Sequence, residues 1–348
     1  MQNLRHIPAE ELKLKLKEWN EPLFRANQIR EWLWKKHAAS VEDMSNLPKS
    51  LRQKLSGHYF IPKVKVDHSQ FSADGTIKNR LRLHDGQIIE SVLIPTEKRM
   101  TACVSSQAGC SLNCKFCATG YLKKGRNVDF DEIVDEVSLI NQQAIDHYGR
   151  PLTNIVYMGM GEPLLNYKNV LRSIDIITGA EGMGMSPRRI TVSTSGIAKM
   201  IKKLGDDEVR FKLALSLHSG NDAVRSGMMP FNDANNIQSL VEALNYFYQK
   251  TRNEITLEYI LFKNLNDNAE AATELTKVYR QIPADLVNVI EYNAIDQADF
   301  AKSDERTTQE FMNYLERNGV NARLRRSRGK DIDAACGQLA DINRQPAL

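Results

Sequence analysis

Three cysteines lie within eight residues of one another, in the string Cys110-Ser-Leu-Asn-Cys114-Lys-Phe-Cys117. Thiolates at this C-x3-C-x2-C spacing on one short loop can bind three irons of a cubane iron–sulfur cluster. Clusters that only transfer electrons usually have cysteine on all four irons. A fourth iron without a protein ligand is open to another molecule, so the spacing predicts a catalytic cluster.

Two other uses of these cysteines fit the sequence less well. A structural zinc site needs a fourth Cys or His at a similar local spacing, and the nearest histidines, His84 and His147, repeat no such spacing. Disulfides are disfavoured because the chain has five cysteines and its first residues lack the apolar core of a signal peptide. The loop therefore favours an iron–sulfur cluster over zinc or disulfides.

Composition indicates an ordinary globular protein. The chain has 348 residues, enough for one large domain and a small accessory one, with 42% hydrophobic and 26% charged residues. No apolar run reaches the length of a membrane helix. Free thiols and an oxygen-sensitive cluster predict a cytoplasmic protein. The net charge of +4 does not by itself indicate a partner.

The first 98 residues are predicted to form two accessory segments. Residues 1–60 carry apolar residues at helical spacing, with lysines and arginines on the polar faces, which predicts a small basic helical domain. Such a domain either caps the rest of the protein or faces a nucleic acid, and the sequence leaves both open. Residues 61–98 alternate with period two around Gly75 and Gly86, which predicts short antiparallel strands.

Residues 99–348 are predicted to form a parallel α/β domain, because strands and helices alternate. The predicted strands are Met100–Ser106, Asn154–Met160, Arg189–Thr194, Phe211–His218, Glu254–Phe262 and Leu286–Asn293. The predicted helices lie near 129–148, 167–178, 196–204, 235–250, 268–281 and 304–318. Alternation alone is compatible with a doubly wound sheet and with a barrel. In both folds the chemistry lies at the carboxyl ends of the strands.

Candidate ligand-binding residues follow several of these strands. The second strand ends in Gly159-Met-Gly161-Glu162-Pro163, where glycines allow a close approach and Glu162 can accept a hydrogen bond from an ammonium group. A glycine pair at a strand end is otherwise usually only a turn. Ser193 ends the third strand, and Ser216 and His218 share one face at the end of the fourth.

These strings resemble the radical S-adenosylmethionine (SAM) superfamily and, within it, the RlmN/Cfr-type RNA methyltransferases. The similar strings are the cysteine loop, Phe-Cys117-Ala-Thr-Gly120, Met-Gly159-Met-Gly161-Glu162-Pro163-Leu-Leu-Asn166, Ser216-Leu-His218 and Arg-Ser-Arg328-Gly-Lys-Asp-Ile-Asp-Ala-Ala-Cys336-Gly-Gln-Leu339. The resemblance implies a partial (β/α)6 barrel, open on one side, with a small helical accessory domain. It also implies a [4Fe-4S] cluster on Cys110, Cys114 and Cys117, with SAM on the open iron. The SAM contacts that it implies are Gly161, Glu162, Ser193, Ser216, Leu217, His218 and Asn293.

The resemblance further implies a mechanism that uses two SAM molecules. The first methylates Cys336, and the second supplies a radical that removes a hydrogen from that methyl group. The carbon radical then adds to an adenine, Glu90 accepts the ring proton, and Cys103 releases the product through a transient disulfide with Cys336. Cationic residues precede Cys336 from Arg323 to Lys330, and positive charge favours a nucleophilic thiolate. Without the resemblance, Glu90 would be expected as an exposed strand residue and Cys103 as a small buried hydrophobe.

The implied substrate is C2 of a specific adenine in 23S ribosomal RNA (rRNA), together with an adenine in the anticodon loop of transfer RNA (tRNA). Pro163 is similar to the C2-specific branch, and C8 methylation of the Cfr type is the alternative. The basic residues Lys123, Lys124 and Arg126, and those in 323–330, are predicted phosphate contacts. The target base would have to leave its stack. A monomer with an external electron donor and no membrane partner is expected.

Two hypotheses compete with this one. A non-catalytic RNA-binding protein with a structural metal site predicts bound zinc and no SAM cleavage. A radical SAM enzyme that acts on a small molecule or a protein leaves the Cys336 segment and the basic runs unexplained.

Overall fold

The computed structural model describes residues 1–340. At the start of the chain, three helices and a two-stranded parallel sheet pack together: β1 (Gln2–Asn3), α1 (Ala9–Glu18), α2 (Arg25–Trp34), α3 (Lys49–His58) and β2 (Tyr59–Phe60). Leu12, Leu16 and Ile29 are buried between the helices, as the helical spacing predicts. Phe24 is 57% exposed, because it precedes α2 rather than lying on its buried face.

A single ten-stranded sheet runs through the remainder of the described chain, in sequential order. Its first three strands are antiparallel: β3 (Lys65–Phe71), β4 (Ile77–Arg82) and β5 (Ile88–Pro95). The next seven are parallel: β6 (Met100–Cys103), β7 (Asn154–Tyr157), β8 (Ile190–Thr194), β9 (Lys212–Ser216), β10 (Ile255–Leu261), β11 (Leu286–Glu291) and β12 (Ala322–Arg325). Within residues 1–340, β3 and β12 are not paired, so the sheet stays open.

Helices connect the successive parallel strands. They are α4 (Phe130–Tyr148), α5 (Tyr167–Thr178), α6 (Ala198–Asp206), α7 (Asp222–Met228), α8 (Ile237–Thr251), α9 (Ala269–Tyr279) and α10 (Glu305–Arg317). Six β/α units followed by β12 confirm the predicted partial (β/α)6 barrel with a helical accessory domain.

The sequence analysis missed α7 and β12, because α7 is very short and half of the residues of β12 are arginine. The predicted domain boundaries near 60 and 98 stay predictions, and β3–β5 continue the barrel sheet.

The two faces of the parallel sheet have opposite character. Ile155, Val192 and Leu257 are completely buried on the face that the helices cover. The alternate positions line a cavity on the other face, and they include Thr191, Lys212, Asn288 and Arg323. Because side chains alternate across a strand, the same period-two pattern builds an apolar core and a polar interior.

Helix α4 begins and ends where the sequence predicts. Asp129 and Glu132 form a reciprocal capping box at its start, in which the Asp129 N–H donates to Glu132 at 3.0 Å. At its end, Gly149 adopts the left-handed conformation with φ 64°, and its N–H donates to the carbonyl of Ile145. The helix is thereby fixed behind β6, the strand that leads into the cysteine loop.

A buried ion cluster joins the N-terminal residues to α4. The Arg5 guanidinium lies 3.0 Å from Asp135, and the Lys63 ammonium contacts the same carboxylate at 3.0 Å. His6 contacts Asp131 at 2.9 Å. Because all of these contacts converge on one face of α4, they fix the position of the helical domain on the barrel.

No helix within residues 1–340 is both long enough and apolar enough to cross a bilayer.

Replacing Asp135 with Ala should destabilise the protein by about 3 kcal/mol, because it leaves the buried Arg5 with only the more distant Asp131, at 3.9 Å, and removes the carboxylate partner of the partly exposed Lys63. Urea unfolding followed by circular dichroism would measure the change. Asp146→Ala is the matched control on the exposed side of the same helix and should change stability by less than about 0.5 kcal/mol. Equal effects of the two substitutions would contradict this account of the ion cluster.

Candidate active site

The cysteine loop forms one wall of an interior cavity of about 140 Å³ at the carboxyl ends of the strands. Cys110, Cys114 and Cys117 all line it. Neighbouring segments anchor the loop on two sides: the Lys115 N–H donates to the carbonyl of Met228 at 3.0 Å, and the Ala118 N–H donates to Gly337 at 2.7 Å. The loop is therefore held in shape by α7 and by the C-terminal segment.

The spacing of the sulfur atoms fits a cluster better than a single ion. A tetrahedral zinc ion, with Zn–S bonds of about 2.3 Å, needs sulfur ligands about 3.8 Å apart. In residues 1–340, only His6, Asp129 and Asp131 bring three potential ligand atoms within 4.8 Å of one another. The three loop sulfurs therefore do not all lie within 4.8 Å of one another, which is a wider arrangement than the one around a single zinc ion.

Burial controls the titration of the loop thiols. It raises the pKa of Cys110 to about 11 and raises the pKa of Cys114 and Cys117. A metal binds the thiolate, so iron binding must be coupled to loss of these protons.

Gly159 and Gly161 belong to a second wall of the cavity and bring it close to the segment that follows β6. A Cβ on Gly159 would lie 2.7 Å from the carbonyl oxygen of Val104, and one on Gly161, where φ is 93°, would collide with Gln107. The Asn166 amide donates to the carbonyl of Ser106 at 2.8 Å, which holds this wall against the segment that follows β6. This segment lies where the sequence placed it.

The Glu162 carboxylate is buried in this wall. One oxygen accepts the N–H of Leu164 at 3.0 Å and the other accepts the N–H of Ser195 at 2.8 Å. Burial raises the pKa of Glu162. A cationic ammonium group next to this carboxylate would offset its desolvation, which is the contact that the sequence predicts for Glu162.

Ser193, Ser216 and His218 line the cavity from β8 and the end of β9. His218 is buried, and burial lowers its pKa to about 3, so the imidazole is neutral. Its Nδ1 accepts the N–H of Ile260 at 3.2 Å, which places the ring proton on Nε2. His218 can therefore donate one hydrogen bond but carries no charge.

Two predicted SAM contacts lie elsewhere. Within residues 1–340, neither Leu217 nor Asn293 lines this cavity. Both backbone groups of Leu217 are engaged, with Glu258 and with Arg225. The Asn293 amide instead donates to Ser327 at 2.9 Å and to the carbonyl of Cys336 at 3.4 Å, so it positions the Cys336 segment. Their assignment as SAM contacts stays a prediction.

Cys336 lies in the same cavity as the cysteine loop. An Arg325 N–H donates to its sulfur at 3.7 Å, and the other terminal nitrogen of Arg325 lies 3.6 Å from Glu258. A Cys336 thiolate and the Glu258 carboxylate both raise the pKa of Arg325 above its ordinary value. The sequence predicted a cationic neighbourhood for Cys336, but only the structure identifies Arg325 on β12 as the residue in contact.

A second, larger cavity of about 650 Å³ extends along the sheet interior towards the amino ends of the strands. Cys103 and Cys336 both line it. Cys103 is buried, burial raises its pKa, and the negative charge of Cys336 raises it further. The structure thus brings the two non-cluster cysteines to one cavity, with every cysteine in the free form.

Glu90 is buried rather than exposed. It lies 3.7 Å from the ammonium of Lys78, which is also buried, and accepts the N–H of Ala340 at 2.9 Å. Among the described residues, neither cavity lining includes Glu90. The segment after Cys336 therefore covers this carboxylate in the observed conformation. Lys78 was not anticipated, although it lies next to β5 on the predicted hairpin.

The predicted phosphate contacts divide into two groups. Lys123 and Lys124 are exposed, whereas Arg126 is bound by Asp85 and Glu132 at 2.6 Å each. The prediction for Arg126 was therefore wrong, because two carboxylates already use its donors.

Comparisons with known proteins identify both parts of the chain. The family model described as the Radical SAM superfamily matches residues 104–275, and that of the ribosomal RNA large subunit methyltransferase N-terminal domain matches residues 2–61.

Relatives match over nearly the whole length. A probable dual-specificity RNA methyltransferase RlmN from Flavobacterium psychrophilum is 55% identical over 91% of each chain. The dual-specificity RNA methyltransferase RlmN of Nitratiruptor is 41% identical over 98% of each chain. The crystal structure of a radical SAM methyltransferase from Sphaerobacter thermophilus has a TM-score of 0.91 at 38% identity, covering 97% of this chain and 99% of that one.

These matches confirm the resemblance on which the sequence analysis relied, and with it the predicted [4Fe-4S] cluster and SAM. The cysteine loop, the glycine wall that contains Gly159 and Gly161, and Cys336 surround one cavity. By this site and by these matches, the chain belongs to the RlmN family of the radical SAM superfamily.

Proposed function

We propose that this protein methylates C2 of adenine in RNA, with 23S rRNA and tRNA as substrates and Cys336 as the methyl carrier. The observation that carries the proposal is the position of Cys336, which borders the cavity of the cysteine loop on one side and the Cys103 cavity on the other. The relatives are named dual-specificity RNA methyltransferases, and these names support two kinds of RNA substrate.

The chemistry explains why a protein-bound methyl group is needed. Adenine C2 is an electron-poor carbon and cannot attack the methyl group of SAM as a nucleophile. The bound cluster supplies an electron that cleaves SAM to an adenosyl radical. Cys110, Cys114 and Cys117 would hold that cluster, and Glu162 would bind the SAM ammonium group.

Cys336 takes the methyl group of a first SAM by displacement, with its sulfur held by Arg325. After hydrogen abstraction from that methyl group, the carbon binds to adenine C2, which links the protein to the RNA. Glu90 accepts the C2 proton, which requires the Ala340 contact to open because that N–H now covers the carboxylate. The adduct carries the unpaired electron, so one electron would have to return to the cluster as the C2 proton leaves. Attack of the Cys103 thiolate on the Cys336 sulfur then breaks the bond between that sulfur and the methylene carbon and forms a disulfide, and the released carbon takes up a proton to become the methyl group of the base. An external electron donor must reduce this disulfide before the next cycle.

RNA binding is supported by unpaired surface charge near both cavities. Lys123 and Lys124 follow the cysteine loop, and Arg99 and Arg323 line the larger cavity at its exposed rim. Within residues 1–340 no ion pair involves these four side chains, so they are available to phosphates.

Product analysis tests the proposed site of methylation. Anaerobically prepared protein with SAM and a reductant should convert 23S rRNA fragments and tRNA to 2-methyladenosine, detected by mass spectrometry of nucleosides. Formation of 8-methyladenosine instead would contradict the proposed specificity. A preparation with zinc and no SAM cleavage would contradict the enzyme itself.

Replacing Cys336 with Ala should abolish methylation of RNA and remove the methyl group that the intact wild-type protein carries. Cys103→Ala is the matched variant: it should keep the methyl group on Cys336 but retain RNA as a covalent adduct, because the thiol that releases it is missing. Intact-protein mass spectra and denaturing gels would separate the two. RNA methylation by the Cys336 variant would contradict the carrier role.

Replacing Glu90 with Gln should reduce product formation by about 10²- to 10⁴-fold, the usual contribution of a general base. Methylation of Cys336 should be unchanged, because no proton of the RNA is involved in that step. Single-turnover product formation and the protein mass measure the two steps separately. Glu97→Gln, an exposed change beyond the end of β5, is the control and should leave both unaffected.

A further inference from the structure

Arg225 is a completely buried arginine beside the cysteine loop. It lies in the middle of α7, with 0% of its surface exposed. Its guanidinium donates to the backbone carbonyls of Leu217 at 3.0 Å, Ser216 at 3.2 Å and Ser195 at 2.5 Å, and to the side-chain oxygen of Asn232 at 2.5 Å. All four partners are neutral.

This arginine differs from Arg5, the other fully buried arginine within residues 1–340. Arg5 lies 3.0 Å from Asp135, so its charge is compensated. In the described residues, no carboxylate lies within 4.0 Å of the Arg225 guanidinium. A buried charge without a counter-charge costs several kcal/mol, and neutral carbonyls satisfy its hydrogen bonds without neutralising it. A carboxylate that acts on Arg225, that of Asp222, reaches it only through Asn232, whose amide donates to Asp222 at 3.0 Å.

The cysteine loop would supply an anion once its thiolates hold the cluster. The N–H of Met229 donates to the Arg225 carbonyl at 2.7 Å, and the neighbouring Met228 carbonyl accepts the N–H of Lys115 at 3.0 Å. These backbone bonds tie α7 to the loop, and Cys114 packs against the apolar cluster that contains Met228 and Met229. The guanidinium itself contacts Ser195 and Ser216, which line the same cavity as Cys114. The charge of Cys114 acts on Arg225 against the effect of burial, which lowers the pKa of Arg225 to about 10.

We propose that Arg225 is the buried counter-charge of the iron–sulfur cluster and raises its reduction potential. The inference rests on the proposed function, because it requires the cluster on the three loop cysteines. The reduced cluster carries one more negative charge than the oxidised cluster, so a fixed cation in a medium of low dielectric constant stabilises the reduced form more. The carbonyl contacts give Arg225 a second effect, since they also fix the ends of β8 and β9 at the SAM cavity. Arg225 is therefore a positioning residue that acts on electron transfer into the cluster.

The experiment measures the reduction potential of the cluster rather than activity. Anaerobically reconstituted full-length protein is titrated electrochemically, and the reduced cluster is followed by electron paramagnetic resonance. In Arg225→Gln the midpoint potential should fall by about 59 mV or more. This shift is measured as an at least tenfold fall in the ratio of reduced to oxidised cluster at a fixed potential. Arg225→Lys keeps the charge and should retain a midpoint close to that of the wild type.

Two further variants exclude trivial explanations. Asn232→Asp keeps the arginine and places a carboxylate against it, next to Asp222, to which the Asn232 amide now donates at 3.0 Å. The added negative charge should also lower the midpoint, and this variant decides the matter if Arg225→Gln does not retain iron. Arg317→Gln, on the exposed last turn of α10, removes the same charge far from the loop and should not change the midpoint.

The outcomes separate this inference from the proposed function. A wild-type midpoint in both Arg225→Gln and Asn232→Asp, or in Asn232→Asp alone when the other loses iron, overturns the role of Arg225 and leaves the enzyme assignment intact. An equal fall in Arg225→Lys and Arg225→Gln also overturns it, because hydrogen bonding rather than charge would then set the potential. Absence of any reducible cluster in the wild-type protein overturns the proposed function itself.

Discussion

The cost of burying charge inside the sheet is the constraint on which the site depends. The inner face of the parallel strands carries polar and charged side chains, and each one out of contact with water needs a partner. Glu258 on β10 is bound by Asn288 on β11 at 2.7 Å and by Arg325 on β12. Glu90 on β5 has Lys78 on β4. Because these partners come from neighbouring strands, the register of the sheet fixes the distances between reacting groups.

The C-terminal segment completes the site by backbone contacts rather than by packing alone. The Ala118 N–H donates to Gly337, the Thr119 hydroxyl donates to Leu339, and the Ala340 N–H donates to Glu90. These contacts join residues more than 200 positions apart and place Cys336 at the cysteine loop. One segment thus carries the proposed methyl acceptor and covers the proposed base, because the Ala340 N–H lies on Glu90.

The sequence predicted the parts of the site whose identity is set by local spacing. The cysteine loop, the glycine wall and the capping box of α4 depend on residues a few positions apart, and each lies as predicted. Arg325, Lys78 and Arg225 were not distinguished from other basic residues, because only tertiary contacts separate a buried cation from a solvated one. Arg126 shows the converse: it looked like a phosphate contact, but Asp85 and Glu132 already bind it.

The three anionic centres of the site have separate cations, and the difference between those cations follows from the chemistry. Arg325 contacts both Cys336 and Glu258, so it would remain compensated if the Cys336 thiolate became a neutral thioether on the proposed methylation. Lys78 also donates to the carbonyl of Asp333 at 3.4 Å, so one of its hydrogen bonds, though not its charge balance, is kept when the proposed base Glu90 takes a proton. Arg225 also donates to backbone carbonyls, but the cluster proposed to face it stays anionic throughout the cycle, so its counter-charge is never withdrawn. A permanent charge needs only one partner, whereas a charge that appears and disappears needs a cation with a second one.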